Sequence, residues 1–238
     1  GGANSDTLSK HQAAASYKYT YGMLEEDEMP IIAYAGPCDN KIPGAASSHF
    51  TPVNANTYEQ YKAVKDAGVN TIVPLSDNTG NHNGYELFEA LHNAEKAGVN
   101  YFDHDPTFGD KVSDKSTLLD ELAKYATYDS FAGIFHADEP PASRFHEYEL
   151  TGALMKQYAP DKCYYVNLFP QFAYKGALTG NTADLSHAGE QQQNWYDYIN
   201  AFYDTYEPLY LSYDNYAFTN SFPELDHDWF GNLYLCNK

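Results

Sequence analysis

Apolar positions along this chain repeat with two different periods, and the two periods alternate. Short runs rich in Val, Ile, Tyr and Phe read as strands, and between them apolar residues recur at three- and four-residue spacing, the mark of a helix with one buried face. Residues 29–35 predict a first strand, stopped by Gly36 and Pro37. Thr57 and Gln60 have the spacing of a capping box, and the helix they open carries Tyr58, Tyr61 and Val64 on one face and stops at Gly68. A second strand over 69–73 leads to a helix over 85–97 with Leu87, Phe88, Leu91 and Ala94 inward. Gly98 ends it, and 99–102 form a third strand. A third helix is expected over 116–128, with Leu118, Leu119, Leu122 and Ala126 inward. A fourth strand over 131–138 ends at Pro140 and Pro141, which lack the N–H a ladder needs. A helix over 143–158, a strand over 163–169, and a polar stretch over 175–189 come next. Trp195, Tyr198, Ile199, Phe202 and Tyr206 then mark a further helix, 209–213 a sixth strand, and 222–238 the start of another helix.

Six strands alternating with helices imply a parallel sheet covered by helices. An internal repeat supports stacked βα units: Ala-Gly-Val-Asn at 67–70 recurs at 97–100, each time where a helix ends in glycine and a strand begins. Nothing after the first strand has the form Gly-x-Gly-x-x-Gly, and there is no Gly-Lys-Ser/Thr phosphate loop, which weakens an open nucleotide-binding sheet. The expected fold is therefore a parallel (β/α) barrel of the TIM type, incomplete, with six βα units. Residues 1–28 form an N-terminal arm and 29–238 the barrel, interrupted by a long loop over 39–56.

Composition narrows the partners. A chain of 238 residues with 43% hydrophobic content can bury one large core. The net charge of −19 argues against nucleic acid and anionic membranes, and suits a neutral or cationic ligand. No run is long and apolar enough to span a bilayer. Tyrosine is abundant at 23 residues, beside 13 Phe and 2 Trp; aromatic faces with polar rims suit sugars, though they also serve as packing. Cys38, Cys163 and Cys236 show no metal or redox spacing and allow at most one disulfide. The first residues carry no signal-peptide core, which leaves secretion open.

Chemistry gathers at the C-terminal strand ends, where α/β barrels keep it. These ends supply Tyr34, Asp77, Asp103, His104, Asp105, His136, Asp138, Glu139, Asn167, Tyr213, Asp214 and Tyr216; the opposite ends supply Gly68, Gly98, Ser130 and Lys162. Loops are polar in any fold, and Asp138 and Glu139 could simply cap the next helix. As chemistry, the adjacent pair suits acid/base work. A half-buried Glu139 beside another acid would stay protonated near neutrality and donate to a leaving oxygen. Asp138, on the other side of the strand end, would stay ionised and orient or stabilise a developing cation. Tyr213 offers a phenol, and Asn167 an amide for sugar hydroxyls. A metal site built from Asp103, His104, Asp105 and His136 is the rival, but no His-x-His pair stands on the first strand, so neither metal nor cofactor is expected.

These motifs resemble the glycoside hydrolase (β/α)8 barrels, many of which carry Glu-Pro at the end of the fourth strand, as Glu139-Pro140 does here. The Asp138-Glu139 pair is similar to hexosaminidase-type barrels, in which the substrate's own acetamide attacks, and Tyr213-Asp214 looks like the sixth-strand Tyr-Asp of chitinase-type barrels. The run of Ala-Gly-Val-Asn, Asp-Glu-Pro, Val-Asn-Leu-Phe-Pro and Leu-Ser-Tyr-Asp-Asn-Tyr over 29–235 also resembles uncharacterised glycosidase-like proteins of gut bacteria. The resemblance implies a glycosidase that hydrolyses an O-glycosyl bond with retention, substrate-assisted on an N-acetylhexosaminide. Catalytic roles fall to Glu139 (acid/base) and Asp138 (acetamide orienter). Substrate contacts fall to Tyr34, His104, Asp105, His136, Asn167, Tyr213, Asp214 and Tyr216. The expected partner is an oligo- or polysaccharide, and the expected location secreted or cell-surface. Two departures count: the spaced aspartates that lead to the glutamate in chitinase-type barrels are absent, and so is a strand-seven nucleophile. A protein nucleophile, if present, should lie roughly 5–5.5 Å from Glu139. The alternatives are a non-catalytic carbohydrate-binding barrel and a metal-dependent hydrolase.

Overall fold

A computed structural model describes residues 23–24, 28–34, 36–37, 56–74, 85–186 and 191–215. Most of the expected arm and long loop, with Asp77, Tyr216, Cys38, Cys236 and the helical start over 222–238, lies outside the described residues.

Among the described residues six strands form one sheet: β1 (Ile32–Tyr34), β2 (Thr71–Val73), β3 (Asn100–His104), β4 (Phe131–Asp138), β5 (Cys163–Leu168) and β6 (Ser212–Tyr213). Every neighbouring pair is parallel, and the order in space is the order in sequence. A doubly wound sheet reverses its strand order at a switch point, and this one never does. The molecule is α/β, its parallel sheet curled into a half-barrel, in agreement with an incomplete barrel.

The helices are α1 (Tyr58–Asp66), α2 (Tyr85–Ala97), α3 (Phe108–Lys111), α4 (Lys115–Ala123), α5 (His146–Tyr158), α6 (Lys175–Thr179) and α7 (Gln191–Tyr206). Local chemistry starts them. The Thr57 side chain accepts from the Gln60 N–H as an N-cap, and Asp114 and Thr117 close a reciprocal capping box on α4. Each long helix buries one stripe: Leu87, Ala90, Leu91 and Ala94 on α2; Tyr148, Thr151, Gly152 and Met155 on α5; Trp195, Tyr198, Ile199 and Phe202 on α7. Several elements differ from the pattern: β1, β2 and β6 are shorter than expected, β3 runs on to His104, and α3 is an unexpected helix. The third expected helix stops at Ala123 because the chain tightens into turns, with Tyr125 N–H bonded to Leu122 O and Tyr128 N–H to Tyr125 O. Residues 142–144 form a 3₁₀ turn before α5. The polar stretch after β5 contains α6, too short to show a helical period.

Alternation along the strands splits the core. Ile72, Tyr101, Phe131, Ile134, Tyr164, Val166 and Leu168 face the helices. Val73, Phe102, Ala132, Phe135 and Cys163, with Tyr165 and Tyr210, form the smaller cluster on the concave face. Cys163 is a buried free thiol, which burial pushes up to about 12. Gly133 is required here: its φ is +152°, and a Cβ would sit 2.0 Å from the Cys163 carbonyl oxygen.

Two irregularities interrupt the pairing of β4. Its register against β3 shifts between Tyr101 and Phe102, and against β5 between Phe135 and Ala137, leaving His136 as one extra residue. A bulge of this kind reverses which face the residues after it take. Counting by twos from Phe135 would put Ala137 on the concave face. With the bulge, Ala137 pairs with helix-facing Val166, and Asp138 pairs with Asn167.

Candidate active site at the carboxyl rim

The strand ends β4, β5 and β6 converge on a cluster of acids. Asp138 closes β4, and the next residue, Glu139, leaves the strand with φ +48°, in the left-handed region that a β-carbon disfavours. Its N–H donates to the Asn167 carbonyl oxygen at 2.8 Å, extending the ladder by one bond before Pro140 ends it. Asp214 is placed by its own N–H, which donates to Leu168 O at 3.0 Å.

Side chains complete the cluster. The Asn167 amide nitrogen donates to Asp138 Oδ1 at 3.0 Å and to Asp214 Oδ1 at 2.8 Å. Ser212 Oγ donates to Asn167 Oδ1 at 2.9 Å. Tyr34, from β1, is hydrogen-bonded to Asp138, and its phenol is pushed far up by burial, then by the charge of Asp138. Tyr165 is hydrogen-bonded to Ser212 and is raised chiefly by burial. The Glu139 carboxyl is raised to about 7, first by burial, then by its hydrogen bond to Asp214 and by the charges of Asp214 and Asp138. Below that pH it is a carboxylic acid able to donate; above it, a base.

Strict alternation along β4 would send Asp138 and Glu139 to opposite sides. The bulge at His136 and the left-handed turn at Glu139 instead bring both to the Asn167–Asp214 pair. Among the sequence-predicted residues, Glu139, Asp138, Asn167, Asp214 and Tyr34 therefore meet. His104 lies beside them on the concave face, stacked on Phe135 with ring centroids 4.5 Å apart, and Tyr34 meets the edge of the same ring at 6.0 Å.

The other predicted residues turn elsewhere. Asp105 accepts from Lys111 at 2.6 Å and from Thr107. Burial pushes its carboxyl up, but those bonds outweigh it and hold it below the usual range. His136 faces the helices, its Nδ1 on the Tyr164 hydroxyl and its ring edge-on to Tyr148; burial pushes it down to about 4. Tyr213 packs edge-on against Trp195 of α7 at 5.2 Å, in the helical layer rather than with Asp214. Asp103 also faces the helices, accepting from Tyr125. With Asp103, His104, Asp105 and His136 divided in this way, no group of three such side chains among the described residues could hold a metal ion.

Sequence reasoning missed Tyr165 and Ser212. The signal was spacing: each stands two residues before a site residue, Asn167 and Asp214, and so shares its face. No family model, no curated protein and no solved structure matches the chain.

Proposed function

We propose that this protein is a glycoside hydrolase whose general acid/base is Glu139, built on six βα units of a TIM-type barrel. One observation carries the reading: at the carboxyl rim Glu139 is hydrogen-bonded to Asp214 with Asp138 nearby, and burial together with these acids raises its carboxyl to about 7. An enzyme that must both give and take a proton works best with a group titrating near its working pH.

In the first stage, Glu139 donates its proton to the glycosidic oxygen as the C1–O bond breaks. Positive charge develops on the sugar, and the Asp138 carboxylate stabilises it. Asp214 is in hydrogen-bonding contact with Glu139, nearer than the roughly 5–5.5 Å that separates a protein nucleophile from its acid. It therefore serves as proton partner rather than nucleophile. This supports substrate assistance: the acetamide oxygen of an N-acetylhexosaminide attacks C1, and Asp138 orients the acetamide through its N–H. In the second stage, Glu139, now ionised, takes a proton from water as that water attacks C1, the acetamide is released, and configuration is retained. The partner is then an oligo- or polysaccharide, met at the cell surface or after secretion.

Glu139→Gln keeps the shape and removes the proton. Tested on aryl glycosides and natural glycans that include N-acetylhexosaminides, it should lower kcat by about 10²–10⁴-fold. Turnover equal to wild type would remove Glu139 from the chemistry. Thermal shifts with glycans in both proteins, without turnover in either, would support a carbohydrate-binding barrel instead.

A further inference from the structure

We infer that Asn167 is the positioning residue of this site: with its amide locked by Ser212, it holds Asp138 and Asp214 as hydrogen-bond acceptors and so decides which carboxyl carries the shared proton. The inference rests on the reading of the site as acid/base machinery, and it deepens that reading.

An asparagine side chain has two N–H donors and one carbonyl acceptor. Here both donors are committed, one to Asp138 and one to Asp214, and the acceptor takes the Ser212 hydroxyl. The residue is only 3% exposed. Its amide therefore has no donor left for a sugar hydroxyl, the role its residue type suggests from sequence. The orientation is dictated by chemistry: the flipped amide would set its oxygen against two carboxylates. With the nitrogen turned toward the acids, Ser212 must be the donor to Oδ1, and its hydroxyl fixes the rotamer. The same residue's backbone oxygen accepts the Glu139 N–H, so all three acids hang on Asn167.

The consequence for the proton has a definite sign. A hydrogen bond donated to a carboxylate favours its charged form. Asn167 supplies one to Asp214, the group that shares a proton with Glu139. That bond favours the arrangement in which the proton rests on Glu139. The titratable groups facing this pair are Asp138 from β4, Tyr34 from β1, Tyr165 from β5 and Tyr198 from α7. Tyr34 is engaged with Asp138, Tyr165 with Ser212, and Tyr198 donates to the Pro140 carbonyl oxygen.

The test needs no substrate. The Glu139 carboxyl carbon is tracked by ¹³C NMR against pH, its signal assigned by its loss in Glu139→Gln. In Asn167→Ala the midpoint should fall by about one pH unit, a tenfold change in the proton's distribution. Ser212→Ala, which frees the amide to turn, should move it the same way by less. Ser212→Thr keeps the hydroxyl and should restore the wild-type midpoint. If Asn167→Ala does not fold, the two Ser212 variants carry the test. An unmoved midpoint in the folded variants overturns the inference, as does a wild-type midpoint in the ordinary carboxylate range. If the midpoint moves as expected while wild type turns over no glycoside, the hydrolase reading falls and the positioning role stands.

Discussion

The two ends of the sheet use the same side chain for opposite purposes. At the amino end, Asn70 and Asn100, the last residues of the two Ala-Gly-Val-Asn copies, are 4% and 1% exposed. Asn70 Oδ1 accepts from the Ile31 N–H at 2.7 Å, and its nitrogen donates to Met29 O and to Glu28. Asn100 Oδ1 accepts from the Met23 N–H at 2.8 Å, and its own N–H donates to Asn70 O. The repeat is thus a pair of clamps that hold the approaching chain under the sheet. At the carboxyl end, Asn167 gives both its donors to carboxylates. An amide that pairs with backbone satisfies groups that folding would otherwise leave orphaned. An amide that pairs with acids sets where charge and protons reside. Burial alone does not separate the two roles: Asn70 and Asn100 each accept from a backbone N–H of the approaching chain, whereas Asn167 accepts from Ser212 and gives both donors to acids.

The contrast breaks down if a clamp proves to be chemical or the rim proves to be structural. The largest expected effect is at the rim, where, on the proposed function, Glu139→Gln should lower kcat by about 10²–10⁴-fold and leave the fold intact by circular dichroism. Next come the clamps. Asn70→Ala should lose about 2 kcal/mol in urea denaturation, because the Ile31 N–H, the Met29 carbonyl and Glu28 each lose a hydrogen bond, while kcat stays at the wild-type value. Asn100→Ala, which strands one N–H, should lose about 1–2 kcal/mol. A fall in kcat without a fall in stability in either variant would erase the distinction between the two ends.

Smaller effects take the form of pH dependence. His136 is buried neutral and held near 4, so the unfolded chain binds its proton first. Its contribution to stability should be complete above the ordinary histidine range and fade as pH falls toward 4. His136→Phe should flatten that acid limb in melting curves taken from pH 7 to pH 4. Glu139 runs the other way. Its raised value means stability present in the ordinary carboxylate range and lost as pH rises through about 7. Glu139→Gln should therefore melt higher than wild type at pH 8, with the difference closing as pH falls below 5. Equal melting at both pH values would mean that Glu139 is not held against Asp214 in solution.

Much of this architecture was legible in the sequence. The pattern over 85–97 became α2 and that over 131–138 became β4, without adjustment. The first carries a helical period and the second an apolar run, each between clear stops, and the gathering of acids at strand ends came from the order of elements alone. The face on which each acid lies was not legible. Period-two counting assumes an unbroken ladder, and the extra residue at His136 is a property of the β4–β5 pairing, invisible in either strand by itself. The same limit explains Tyr213. As a phenol beside Asp214 it suggested the site, but its pairing with Leu168 puts it on the helical side, while Ser212, opposite Asn167, faces the acids. Helices α3 and α6 escaped because four or five residues complete barely one turn and leave no stripe to detect.

The left-handed backbone at Glu139 has a consequence for variation at this position. Glycine adopts that conformation freely, whereas glutamate is strained there by about 1 kcal/mol. Random substitution under selection for folding alone should therefore drift toward glycine at 139. Selection that also demands the reaction should hold glutamate against that drift. The residue enriched at one codon would then report which pressure has shaped the protein.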